Sequence, residues 1–312
     1  MYFGSRHALE GNNVAAWLDI GIAARMAIST NKSSKNPNSC DWDRLCWSIY
    51  SLDRIYGASF SMAYAIPTVS GLPDYPQSHP IPQVGATVAA VQSENENSPA
   101  QQENGPKLGI DACCIRLLSV WGHAMDFLRD VKDGKGLAIW SENGPYQKIL
   151  AQLYTFEKNI GQAHRIQNTR PAEHSPAELE SYRGYWAPWM TMQFLYHAVQ
   201  VLINHPFLHL TKRRQDCGFQ PPSFLQHTVD QMILHSSWVI SFIKLCDEKN
   251  FRINDPFVAH LVSITATGYL FSSNASDADL AQRSHDGFDL CYGFVKQSSI
   301  VWTHLKNTVW IL

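Results

Sequence analysis

The chain has 312 residues, room for one large or two ordinary domains. A hydrophobic fraction of 45% and a charged fraction of 17% describe a globular chain with a substantial core, and a net charge of -2 excludes a whole-chain basic field that would gather nucleic acid. Seven cysteines, an odd number with no CxxC pair, point to reduced intracellular thiols rather than a disulfide framework.

In chain order, the start MYFGSRHALEGN lacks the basic and apolar regions of a secretory signal. Val14–Ile28 then has the helix period. Trp17, Gly21, Ala24 and Ile28 lie on one stripe with Leu18 and Ile22 beside it, and its many small residues would let a neighbouring helix pack closely. A second helix is predicted over Asp41–Met62. Gln77–Lys107 is rich in Pro, Gln, Asn, Glu and Ser, carries no aromatic residue, and is expected to be a disordered insertion in one helical body spanning 1–312. Further helices are predicted over Ile110–Lys132, Tyr146–Arg165, Tyr185–Asn204, Ser223–Glu248, Pro256–Ser272, Ala278–Gln297 and Ile300–Ile311, with a polar loop at Asn168–Glu178. Asp255-Pro256 reads as a helix start, with Asp255 as the cap and Pro256 at the first helical position. Pro206 should end the preceding helix near Asn204. The expected class is all-α. Tyr185–Ile203 carries too many polar groups to be a membrane span, and Phe257–Phe271 is shorter than the about 20 residues a span needs. No membrane contact is therefore expected.

The motifs that carry chemistry are sparse. No P-loop, GxGxxG, GxSxG or HExxH occurs. His205 and His209 have the i, i+4 spacing of two metal ligands, but nothing nearby completes a site, and they read as surface or capping histidines. Thr211–Gln215 is a compact basic run that reads as a solvated loop. The Trp- and Met-rich stretch Tyr185–Phe194 is read as core rather than as the wall of a pocket.

The segment DWDRLCWSIYSLDRIYG, Asp41–Gly57, poses the sharpest question. It is uncharged from Leu45 to Leu52, as in a buried helix, and its charges sit at the ends. Asp41, Asp43 and Arg54 suit the helix dipole, whereas Asp53 faces its negative end. Arg54 points about 100° away around a regular helix. Asp53 is therefore expected to pair with an arginine outside its own helix, with Arg25 as the candidate, and to dock two helices.

GNNVAAWLDIGIAARMA, DWDRLCWSIYSLDRIYG and IPTVSGLPDYP together resemble the regulatory middle-homology region of fungal zinc-cluster transcription factors. Trp17, Gly21, Ala23, Arg25, Met26 and Ala27 match the family's first helix. Arg44, Trp47, Tyr50, Asp53 and Arg54 match its Asp-Arg helix. Tyr196, His197, Leu202, Pro206, Phe207 and Leu208 are similar to a later helix, and Asp255, Pro256 and Phe257 to its Asp-Pro-Phe helix. The chain departs from the pattern at Ser61-Met62-Ala63, where the family commonly has Gly-Arg-Pro, and at His205, where it often has Arg.

The resemblance implies a nuclear regulator of RNA polymerase II transcription. Its DNA reader would be an N-terminal six-cysteine cluster holding two zinc ions. That cluster is not in these residues, so the chain is expected to be N-terminally incomplete, to carry no cofactor itself and to reach DNA through the missing module. A homodimer, other transcription regulators and a small-molecule effector are the partners the resemblance implies. Two other readings stand beside it: an all-α enzyme acting on an apolar substrate, and a decoy or repressor partner of an intact regulator. Because no nucleophile, base or metal constellation emerges from the motifs, no enzymatic activity is expected.

Overall fold

The computed structural model describes residues 13–31, 39–57, 64–66, 72–76, 79–82, 108–135, 138–210 and 220–312. The basic run Thr211–Gln215, Ser61-Met62-Ala63, and the polar insertion apart from residues 79–82 lie outside the described residues. The fold is all-α, and no strand occurs among the described residues. The main helices are α1 (Asn13–Asn31), α2 (Ser39–Leu52), α3 (Ile110–Lys132), α4 (Pro145–Asn159), α5 (Arg183–Ile203), α6 (Pro222–Glu248), α7 (Pro256–Ser272), α8 (Ala278–Val301) and α9 (Leu305–Ile311).

Helix α5 is the hub. It packs against α3, α6 and α7, and α7 packs in turn against α8. Apolar residues all round explain this position: Trp186, Trp189, Met190, Phe194, Val199 and Ile203 are fully buried. The stretch read as core is core on this face. A smaller apolar cluster joins α1, α2 and α3 through Ala24, Trp47, Tyr50, Ile66 and Ile115.

Local chemistry sets the helix ends. Asp255 caps α7 by accepting from the Phe257 N–H at 2.9 Å, with Pro256 at the first position. Asp277 caps α8 through the Asp279 and Leu280 N–H groups. Helix α5 ends at Ile203, one residue before the predicted stop, and the chain turns at Asn204 and His205 before residues 206–210 become helical again. Three boundaries differ from expectation. Helix α4 stops at Asn159 because Ile160 is extended, with ψ 127°. Helix α8 continues to Val301, and α9 begins only at Leu305. Residues 168–178 fold into short turns, the last opened by a reciprocal Ser175–Glu178 capping box.

Helix α1 turns inward a face offset from the expected stripe, sharing Gly21 and Ala24 with it. Ala16, Ile20, Ala24 and Ala27 are buried, while Leu18, Ile22 and Ile28 are exposed. Small residues on the inner face do allow close packing against α2.

Two glycines on α8 separate space from propensity. A Cβ on Gly287 would lie 2.7 Å from the Tyr269 ring of α7, whereas one on Gly293 meets nothing within 4 Å. Alanine gains about 1 kcal/mol of helix propensity at either site. At Gly287 that gain is outweighed by overpacking worth about 1–3 kcal/mol. Thermal melts should show Gly287→Ala less stable and Gly293→Ala more stable than the parent.

Candidate functional site

The Asp-Arg pair is a clasp. After α2 the backbone widens into a single π-helical turn, Asp53–Gly57. Both charged residues turn inward, Asp53 1% and Arg54 6% exposed. The Asp53 carboxylate accepts from the Ala65 N–H at 2.9 Å and the Ile66 N–H at 3.0 Å. The Arg54 guanidinium donates to the Ile66 carbonyl. Its Cζ lies 4.1 Å from the centre of the Tyr64 ring and 4.9 Å from that of Tyr50. Tyr64 donates its hydroxyl to the Gly122 carbonyl of α3 at 3.1 Å. A Cβ on Gly122 would press on Arg54 Cδ at 3.2 Å, so the close approach uses a glycine.

This overturns the expected Arg25–Asp53 pair. Arg25 is exposed on α1, and the partners of Asp53 are two backbone N–H groups, with Arg54 the cation acting on it. Both neighbours grip one segment, Asp53 through the Ala65 and Ile66 N–H groups and Arg54 through the Ile66 carbonyl. Burial pushes the Asp53 carboxyl above its usual range, opposed by the two N–H donors and by Arg54.

The clasp continues along α2. Trp47 donates its indole N–H to the Asp74 carbonyl at 2.9 Å and stacks on Tyr75 with ring centres 4.7 Å apart. Its edge meets Tyr50. Arg44 is exposed, Trp17 is half-buried and Gly21 is buried. Burial pushes Tyr64 up to about 12 and Tyr56 up to about 12, the Asp255 charge adding to the rise at Tyr56. The clasp therefore adjoins the start of α7.

An open cleft of about 560 Å³ lies there, lined by Cys114, Arg183, Ala187, Pro188, Thr191, Ile253, Asn254, Asp255 and Pro256. Pro188 inside α5 cannot donate a helical hydrogen bond. Its carbonyl accepts from Cys114 Sγ at 3.0 Å. Arg183 is held by Glu180, the Arg252 carbonyl and the Phe251 ring. Asp255 is exposed at the edge of the cleft, and partial desolvation by the protein packed behind it raises its carboxyl, against the pull of the Phe257 N–H. Thus one face of Tyr185–Phe194 is core, and Ala187, Pro188 and Thr191 on the other line a cleft. A proline within an apolar helix was the available sequence signal for it.

The remaining motif residues lie apart. Phe257 is buried edge-on against Trp121. Pro206 is buried and Phe207 is 57% exposed, flanking an apolar groove with Val229, Ile233 and Leu270. His197 Nδ1 of α5 meets His235 Nδ1 of α6 at 2.9 Å. Ring centres 5.1 Å apart put the two nitrogens nearly on the line between them, so an N–H faces a lone pair head on. Desolvation is the first cause lowering both, His197 to about 3 and His235 to about 4.

His205 and His209 are buried, contrary to the expected surface position. His205 stacks on Phe207, and its Nε2 lies 3.3 Å from Thr267 Oγ1. His209 sits against the edges of Tyr146 and Phe224. Burial lowers each to about 4. Among the described residues no three His, Cys, Asp or Glu side chains gather as metal ligands. Cys46, Cys113, Cys114, Cys246 and Cys291 are free thiols, and no helix among the described residues is long and apolar enough to cross a membrane.

No protein-family model, curated protein or solved structure matches this chain.

Proposed function

We propose that the chain is the regulatory helical body of a nuclear transcription regulator of the fungal zinc-cluster class, acting without catalysis on RNA polymerase II transcription. The observation that supports this is the mutual packing of the motifs behind the resemblance. Asp53 and Arg54 bind the backbone at Ala65 and Ile66, and Trp47 binds Asp74 and Tyr75, so the second quoted motif holds the third. Tyr56, at the end of the second motif, feels the charge of Asp255 in the Asp-Pro-Phe motif.

The mechanism is a population shift. The cleft at Asp255 borders both α5 and α7, and an effector seated in it would favour one packing of those helices over another in proportion to its differential affinity. DNA would be reached through a zinc-cluster module outside these residues.

The test is a fusion of the chain to an unrelated DNA-binding module upstream of a polymerase II reporter. The expected result is a several-fold change in transcription relative to the module alone. A fusion that is expressed, nuclear and bound at the promoter, yet leaves the reporter at the level of the bare module, contradicts the reading.

A further inference from the structure

Two histidines on different helices meet nitrogen to nitrogen inside the protein. His197 of α5 and His235 of α6 are buried, with Nδ1 atoms 2.9 Å apart and ring centres 5.1 Å apart. The line between the centres therefore runs almost through both nitrogens. Aromatic rings wall the pair. Trp238 stacks on His197 with ring centres 5.5 Å apart, Phe242 follows at 5.9 Å, and Tyr196 lies edge-to-face with both histidines. Glu157, the acid bound to this wall, accepts from the Tyr196 hydroxyl. Among the described residues no third His, Cys, Asp or Glu joins the pair as a ligand.

We propose that this pair is a site for copper(I), held in line between the two nitrogens. Three properties select that ion. Two imidazoles satisfy copper(I), whereas structural zinc takes four ligands and harder ions take oxygen. The nitrogens oppose each other along one line, which is the geometry of two-coordinate ligation. The rings around them offer no charge, and the cost of desolvating an ion grows as the square of its charge. A divalent ion would cost about four times as much there.

The ligands are ready at pH 7. Burial holds both imidazoles neutral, His197 lowered to about 3 and His235 to about 4, so neither must give up a proton to bind. In the metal-free pair one Nδ1–H donates to the other Nδ1. Binding moves that proton to Nε2 of the same ring and forms two N–Cu bonds, with no electron transferred and no net proton released. Metal–imidazole bonds of about 2.0 Å set opposed nitrogens about 4 Å apart, so the pair opens by about 1 Å. Trp238, 39% exposed, is the wall that can yield outward. The inference is independent of the transcriptional reading, since it rests on α5 and α6 alone.

The test is an anaerobic titration of the full chain, its accessible thiols first blocked with iodoacetamide, with tetrakis(acetonitrile)copper(I). The expected result is about one copper retained per chain after gel filtration, with an X-ray absorption spectrum of nitrogen ligands in two-coordinate geometry and no sulfur. His197→Phe and His235→Phe should each retain none while keeping the parental far-UV spectrum. Cys114→Ser should retain the parental amount. A parent that retains no copper overturns the proposal. So does sulfur ligation, retention that survives either histidine substitution, or loss in Cys114→Ser. The parental spectrum decides the case alone if a variant fails to fold.

Discussion

Acidification from pH 7 to pH 5 should unfold this protein or bring it to the edge of unfolding. Four buried imidazoles drive the effect: His197 is lowered to about 3, and His205, His209 and His235 to about 4. In the unfolded chain each titrates near about 6.5. A lowered histidine favours the neutral form in the fold. Its contribution is therefore complete above the unfolded value and is lost as pH falls from there towards the folded one. At pH 5 each imidazole withdraws roughly 2 kcal/mol, and the four together rival the whole stability of a typical domain, about 5–15 kcal/mol. Asp53, raised by burial, acts with the opposite sign: acid favours its folded, protonated form. Denaturant midpoints at pH 7.5, 6.0 and 5.0 should fall steeply. His209→Phe, at a site among Tyr146 and Phe224, should flatten the slope by about one proton. A midpoint that stays level from pH 7.5 to 5.0 would contradict this.

Asp53→Ala should be among the most damaging single substitutions outside the aromatic core. It orphans the N–H groups of Ala65 and Ile66 and leaves the Arg54 guanidinium buried without its carboxylate. Leaving buried hydrogen-bonding groups without a partner costs about 1–3 kcal/mol each. Arg54→Ala should cost a similar amount, by losing the Ile66 carbonyl bond and the cation held between Tyr50 and Tyr64. The double substitution should cost clearly less than the sum, because both residues serve one clasp. Denaturant titrations of all four proteins give the coupling directly, and additive losses would mean that the two residues act separately.

The fold was largely legible in the sequence, because helix period and capping chemistry are local. Asp255-Pro256 marked the start of α7 to the residue. The stop near Asn204 followed from Pro206. Features that depend on distant parts of the chain were not legible. The partner of Asp53 is a pair of backbone amides, and backbone amides leave no trace in a side-chain pattern. The π turn at Asp53–Gly57 has no compositional mark, and regular helical angles point away from Arg54 as the neighbouring charge. For α1, a helix apolar all round offers no moment to say which face turns inward. Ala16, Ala24 and Ala27 went in together with Ile20, while Leu18 and Ile22 stayed out. The spacing of His205 and His209 suggested ligands or surface caps, and their burial among aromatic rings could be seen only once α4 and α6 were brought beside them.

Amide hydrogen exchange at Ala65 and Ile66 is the most direct measure of whether the Asp-Arg pair is architecture. These amides lie in a segment without regular secondary structure, where exchange is ordinarily fast, and the Asp53 carboxylate holds them. The expected result is strong protection in the parent, lost in Asp53→Ala while the amides of α5 and α7 remain protected. Exchange at loop rates in the parent chain would show that no clasp exists.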